Sequence, residues 1–217
     1  MDKQESFLRN LSFLHIPNES GTASFGCDQD WFSTAWKRQA GCGPNAASNM
    51  LLYLQAGGRI HLNFGISGKT EIKALMEAVW RHVTPGLLGV HTIRRFAKGL
   101  HAFSVQHGVD LSCELLEVPR KRKNRPSVEE AARFIAEGLD RDCPVAFLNL
   151  HNGSVAPLDA WHWVTVISLS HDESGNPVLG IYDGDKAFDA NLSDWLASSA
   201  AGGGFVRLGA PLPASRF

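Results

Sequence analysis

The chain has 217 residues, 44% of them hydrophobic and 20% charged, with a formal net charge of −1. That is long enough for one sizeable core and short for two, and the near-neutral charge excludes any global pull toward nucleic acid or an anionic membrane. The four cysteines, Cys27, Cys42, Cys113 and Cys143, include no C-x-x-C pair, which excludes a zinc ribbon or a disulfide framework.

The opening residues, 1–6, carry no basic stretch followed by an apolar one, and no apolar run approaches about 18 residues. The expectation is a cytoplasmic enzyme of bacterial type, without signal peptide or membrane span. Residues 1–41 give a short apolar start (Phe7, Leu8, Leu11), Gly- and Asp-rich loops and the pair Trp31-Phe32, a lead-in that packs beside the next helix. Cys27, in the polar loop Gly26–Asp30, is expected near Cys42 and is the thiol to watch for oxidation; Cys113 and Cys143 read as core thiols.

The segment Gln39-Ala40-Gly41-Cys42-Gly43-Pro44 runs into Ala47, Met50, Leu51 and Leu54 at helical spacing. It reads as a tight turn feeding a helix that buries one face, with Pro44 in the first turn, where its missing N–H is not needed. Cys42 then sits at a helix N-terminus, where unpaired N–H groups and the positive end of the dipole favour a thiolate. Two more helices follow: Ile72, Leu75, Met76, Val79 and Val83 in one, Ile93, Phe96, Leu100 and Phe103 in the other, with Thr70 and Thr92 as N-caps and a turn at Pro85–Gly89 between them.

From 109 the pattern turns to strands. Leu111–Val118 is a strand, and the run Arg120-Lys121-Arg122-Lys123-Asn124-Arg125, bracketed by Pro119 and Pro126, reads as a solvated connector and not a nucleic-acid patch. Ser127 and Glu130 form a capping box for a helix through Leu139, and a buried strand runs from Cys143 to Leu150. The loop 151–160 is expected to overhang a site, with His151 and Trp161 as substrate contacts. Residues 162–170 and 178–183 form a hairpin about the turn His171–Pro177. Alternation puts His162, Val164 and Val166 on one face of the first strand, and Leu179, Ile181 and Asp183 on one face of the second. A turn centred near residue 174 sets Asp183 opposite Thr165, roughly 10 Å along the strand from His162, so a bulge or register shift must close the contact. A short helix at 192–196, the turn Gly202–Gly204 and a strand at 205–208 finish the chain.

A cysteine at a helix start, a histidine at a strand start and an aspartate ending the next strand occur in that order. On these residues the chain resembles papain-like cysteine peptidases, the branch of bacteriocin-processing, leader-cleaving peptidases and their soluble bacterial relatives above all. The resemblance implies an α+β fold in a single domain over 1–217: a mainly helical half (1–110) carrying the nucleophile and a mainly β half (111–217) carrying His and Asp. It also implies Cys42 as nucleophile, His162 as general base and acid, and Asp183, rather than Asp185, as the group orienting the imidazole. The family's oxyanion-hole glutamine lies about two helical turns before the nucleophile, where this chain has Trp36; Gln39 is the preferred substitute and Gln29 the other. The expected substrate is a peptide or small amide. No cofactor, metal, nucleic acid or membrane is expected, since Cys42 and His162 lack a third ligand close in sequence. Two alternatives stay open: an acyltransferase of the phytochelatin-synthase-like or transglutaminase-like type on the same triad, and a non-catalytic binding domain that keeps the scaffold.

Overall fold

The computed structural model describes residues 5–17 and 23–209. The chain opens with β1 (Ser6–Phe7), a 3-10 turn (Leu11–Leu14), β2 (His15–Pro17), β3 (Ala23–Phe25), a second 3-10 turn (Gln29–Trp31) and α1 (Ala35–Ala40). Three longer helices follow, α2 (Cys42–Ala56), α3 (Lys69–Trp80) and α4 (Ile93–Gln106). The second half is β4 (Ser112–Val118), α5 (Val128–Asp140), β5 (Val145–Asn149), β6 (His162–His171), β7 (Pro177–Asp183), β8 (Lys186–Asn191), α6 (Leu192–Ser198) and β9 (Gly203–Gly209). Antiparallel strands in the order β4-β9-β5-β6-β7-β8 make the main sheet, while β1 pairs with β6 beyond the start of β5 and β2 pairs with β3.

Sequence periodicity implies one buried face on α2, yet every residue from Gly43 to Leu54 is buried. The helix is enclosed by β5 and β6 on one side and by α3 and the first 3-10 turn on others, and an all-round buried helix has no need of an amphipathic stripe. Its polar residues are spent internally. Ser48 donates to the Pro44 carbonyl at 2.8 Å. Asn45 and Asn49, one turn apart, hold the loop before the second 3-10 turn: Asn45 Nδ2 donates to the Cys27 carbonyl at 2.9 Å, and Asn49 Oδ1 accepts from the Cys27 N–H at 2.6 Å. The other end of the Asn49 amide donates to Thr165 Oγ1 on β6 at 2.9 Å. One buried amide therefore ties loop, central helix and sheet together.

Other expectations need adjusting. Thr92 caps α4, its hydroxyl accepting from the Arg95 N–H, but α3 starts before Thr70, with extended Gly68 as a cap that makes no side-chain bond. Val83 lies beyond the end of α3 at Trp80. Gly203 and Gly204 belong to β9, with φ of +147° and +158°, where a Cβ would run into the Leu148 and Leu116 carbonyls of the flanking strands. Cys27 is fully buried, and burial pushes its thiol well above the ordinary range, so it is shielded and not the reactive thiol expected. Burial likewise pushes Cys113 up to about 12 and Cys143 up to about 11. No helix of the described residues is long and apolar enough to cross a membrane.

The Asn49 bridge is testable by urea unfolding. Asn49→Ala leaves a buried N–H and a buried hydroxyl without partners and is expected to cost about 2–4 kcal/mol, whereas Ser48→Ala, which removes only a bond within the helix, is expected to cost about 1 kcal/mol or less.

Candidate active site

Cys42 is the first residue of α2 and is half-buried. The glycines on either side of it answer to close packing. A Cβ on Gly41 would strike the Lys37 carbonyl and the Phe32 ring, and one on Gly43 would come within 2.9 Å of the Val90 side chain. The same Val90 carbonyl accepts the Trp163 indole N–H at 2.6 Å, so the residue after His162 fixes the loop that closes over the helix start. Trp163 also stacks on Phe96 of α4 with ring centroids 4.2 Å apart.

His162 opens β6 and Asp183 closes β7. Their strands pair as Leu169 with Leu179 and Ser168 with Gly180, then shift by one residue at Ile167, so that Val166 meets Ile181 and Thr165 meets Tyr182. Without that bulge Asp183 would lie opposite Thr165, on the face away from His162. With it the pairing extrapolates to Val164, and His162 becomes the diagonal neighbour two residues on, on the same face, within reach of a long side chain. The His162 Nε2 lies 2.9 and 3.0 Å from the two carboxylate oxygens of Asp183. Asp185, past the Gly184 turn, is exposed.

Cys42 is the other group acting on the imidazole, and its interaction favours the protonated ring. Burial is the strongest single influence on His162 and disfavours its charged form. The hydrogen bonds and charges of Asp183 and Cys42 outweigh it and push the imidazole up to about 10. The His162 and Asp183 side chains are only 16% and 19% exposed, so the pair is little screened by water.

The two glutamines fare differently. Gln39 is exposed on α1, while Gln29 is half-buried in the second 3-10 turn, its Oε1 buried and unpartnered. Asp28 beside it is a neighbour the sequence reading passed over. Burial first, and then the carboxylates of Asp30, Asp185 and Asp183, raise its carboxyl above the usual range, and its carboxylate lies against Gly184. The signal was its place in the polar loop Gly26–Asp30, which carried no spacing rule to link it to residue 183. His151 turns its Nδ1 onto its own loop, accepting from the Gly153 N–H at 3.0 Å. Trp161 is 56% exposed beside His162, in the left-handed region with φ of 58°. No three His, Cys, Asp or Glu side chains among the described residues are grouped so as to hold a metal ion.

The chain is matched by no family model and by no curated protein. Among solved structures it is similar to UfSP from C. elegans, a papain-like cysteine protease, with a TM-score of 0.52 at 12% identity, over 97% of this chain and 35% of that one. The fold is papain-like. The chain spans about a third of the length of that protein, and the likeness is one of architecture, a mixed arrangement of helices and an antiparallel sheet.

The raised His162 pKa makes stability depend on pH with a definite sign. Its contribution is complete below the unfolded value near 6.5 and is lost as pH rises toward about 10. The difference in melting temperature between wild type and His162→Gln is therefore expected to be largest near pH 6 and to shrink steadily up to pH 10; a constant difference would refute the assignment.

Proposed function

We propose that the protein is a thiol-dependent peptidase or amidase in which Cys42, His162 and Asp183 act as one unit. The observation that supports this is the imidazole itself, gripped through Nε2 by Asp183, with Cys42 at a helix N-terminus as the second group that favours its protonated form. In the forward half-reaction the Cys42 sulfur attacks the carbonyl carbon, His162 gives a proton to the leaving amine, and a thioester forms. In the second half, His162 takes a proton from water, water attacks the thioester, and the sulfur leaves as thiolate. The Cys42 backbone N–H supplies one donor to the developing oxyanion. We assign the second to Gln29 in place of Gln39, because Gln39 is exposed on α1, whereas Gln29 is half-buried two residues after Cys27, which Asn45 and Asn49 bond to α2. Within the papain-like fold we read the chain as nearest to the leader-cleaving peptidases, on its Cys42-Gly43-Pro44 helix start.

Hydrolysis of fluorogenic peptide amides tests the unit. Cys42→Ala and His162→Ala are each expected to lower kcat/KM by a factor on the order of 10⁴ or more, and the double variant no further. Asp183→Asn is expected to lower kcat about tenfold to a hundredfold, because the amide oxygen still accepts the Nε2 hydrogen without offsetting its charge, and Asp185→Asn to change it less than twofold. Wild-type activity in Cys42→Ala would move the nucleophile elsewhere.

A further inference from the structure

We infer that the substrate is a polypeptide with an acidic segment about four to six residues to one side of the bond attacked, held by the basic turn that follows β4; this rests on the peptidase reading above. Four consecutive cations, Arg120, Lys121, Arg122 and Lys123, stand exposed, and none forms an ion pair among the described residues. The turn is nonetheless rigidly built. Arg125 donates to the carbonyls of Pro119, Arg120, Leu196 and Ser199, at 2.9, 3.2, 2.5 and 2.8 Å, which fixes the run to α6 and the loop after it. A solvated connector has no use for such a clamp.

The sheet register decides where the cations stand. Val118 pairs with Gly203, Gly203 with Asn149, and Asn149 with His162, a straight line across four strands. The basic run leaves β4 at Val118, so it emerges at the sheet edge where β6 begins with His162. Three strand spacings separate the two, ~14 Å, a distance spanned by about four residues of extended peptide. Between them β9 starts with Gly203 and Gly204, so no side chain rises from those two positions into the path.

On the far side of His162 the sign reverses. Asp28, Asp30, Asp183 and Asp185 gather around the β7–β8 turn, close enough for each of the other three to raise the Asp28 carboxyl. The rim thus runs from four unpaired cations to a cluster of carboxylates with Cys42 and His162 between them. A chain lying along it is attracted on one side and repelled on the other if it is acidic throughout, and is fixed in direction if its charge is confined to one end. Nucleic acid, uniformly anionic, meets the carboxylate side whichever way it lies, which is why the patch favours a peptide.

The test uses Cys42→Ala, so that binding is read without turnover, and fluorescence anisotropy at low salt. Three labelled twelve-residue peptides share a neutral centre: one with three Glu at the N-terminal end, one with three Glu at the C-terminal end, and one without Glu. One of the acidic pair is expected to bind about tenfold more tightly than the neutral peptide, the gain fading as salt is raised to 0.5 M, since exposed pairs contribute modestly and are screened. Arg122→Glu with Lys123→Glu, checked for an unchanged melting temperature, is expected to abolish the gain. Equal binding of all three peptides, a gain that survives the charge reversal, or an oligothymidylate that outcompetes the acidic peptide would each overturn the proposal. Failure of the peptidase reading shows separately, as hydrolysis that does not depend on Cys42.

Discussion

The single constraint on which the site depends is the one-residue register shift at Ile167 between β6 and β7. In a two-period strand, one residue decides which face a side chain joins. Without the shift, Asp183 would share the face of Thr165, where Asn49 of the central helix already occupies the sheet. With it, Asp183 reaches His162 with both carboxylate oxygens. β1 stands where it can brace the distortion: Ser6 and Phe7 pair with Leu169 and Ser168, and the Leu8 N–H donates to the carbonyl of the bulged Ile167 at 3.0 Å. Loss of this N-terminal strand is thus expected to act on the imidazole and not only on stability.

The helical half meets that strand pair through buried polar contacts more than through shape. Asn45 and Asn49 are 5% and 1% exposed, and each bonds the backbone of Cys27, so the loop carrying Asp28 and Gln29 cannot drift from the start of α2. Such groups contribute little net energy when paired and cost much when one partner is lost. They give the site its geometry; the apolar residues around them, Met50, Leu51 and Leu54 of α2 with Val166 and Phe147 of the sheet, provide the bulk of the burial.

Much of this was legible in the residues. Glycine and proline around Cys42 mark a helix start by turn chemistry, and the alternation of 162–166 and 179–183 marks the hairpin, including its need for a bulge. The position of that bulge was not legible, because Ile167 looks like any other strand residue and is singled out only by β1, far away in the chain. The edge strand β8, with only Phe188 and Ala190 of Lys186–Asn191 apolar and facing inward, has too weak an alternation to stand out. α1 is only six residues long and its sequence resembles a loop, so Gln39 looks near the nucleophile, whereas the helix leaves it exposed at the surface. The basic run showed its charge but not its place, since only the pairing of four strands sets Val118 in line with His162.

The measurement that bears most directly on the coupling of Cys42 to His162 is the pH profile of its alkylation by iodoacetamide, followed by intact mass. The other thiols are buried or raised by burial, which isolates Cys42. The account predicts that the wild-type and His162→Ala profiles differ, with the wild type modified at least several-fold faster at neutral pH, and superimposable profiles would contradict it.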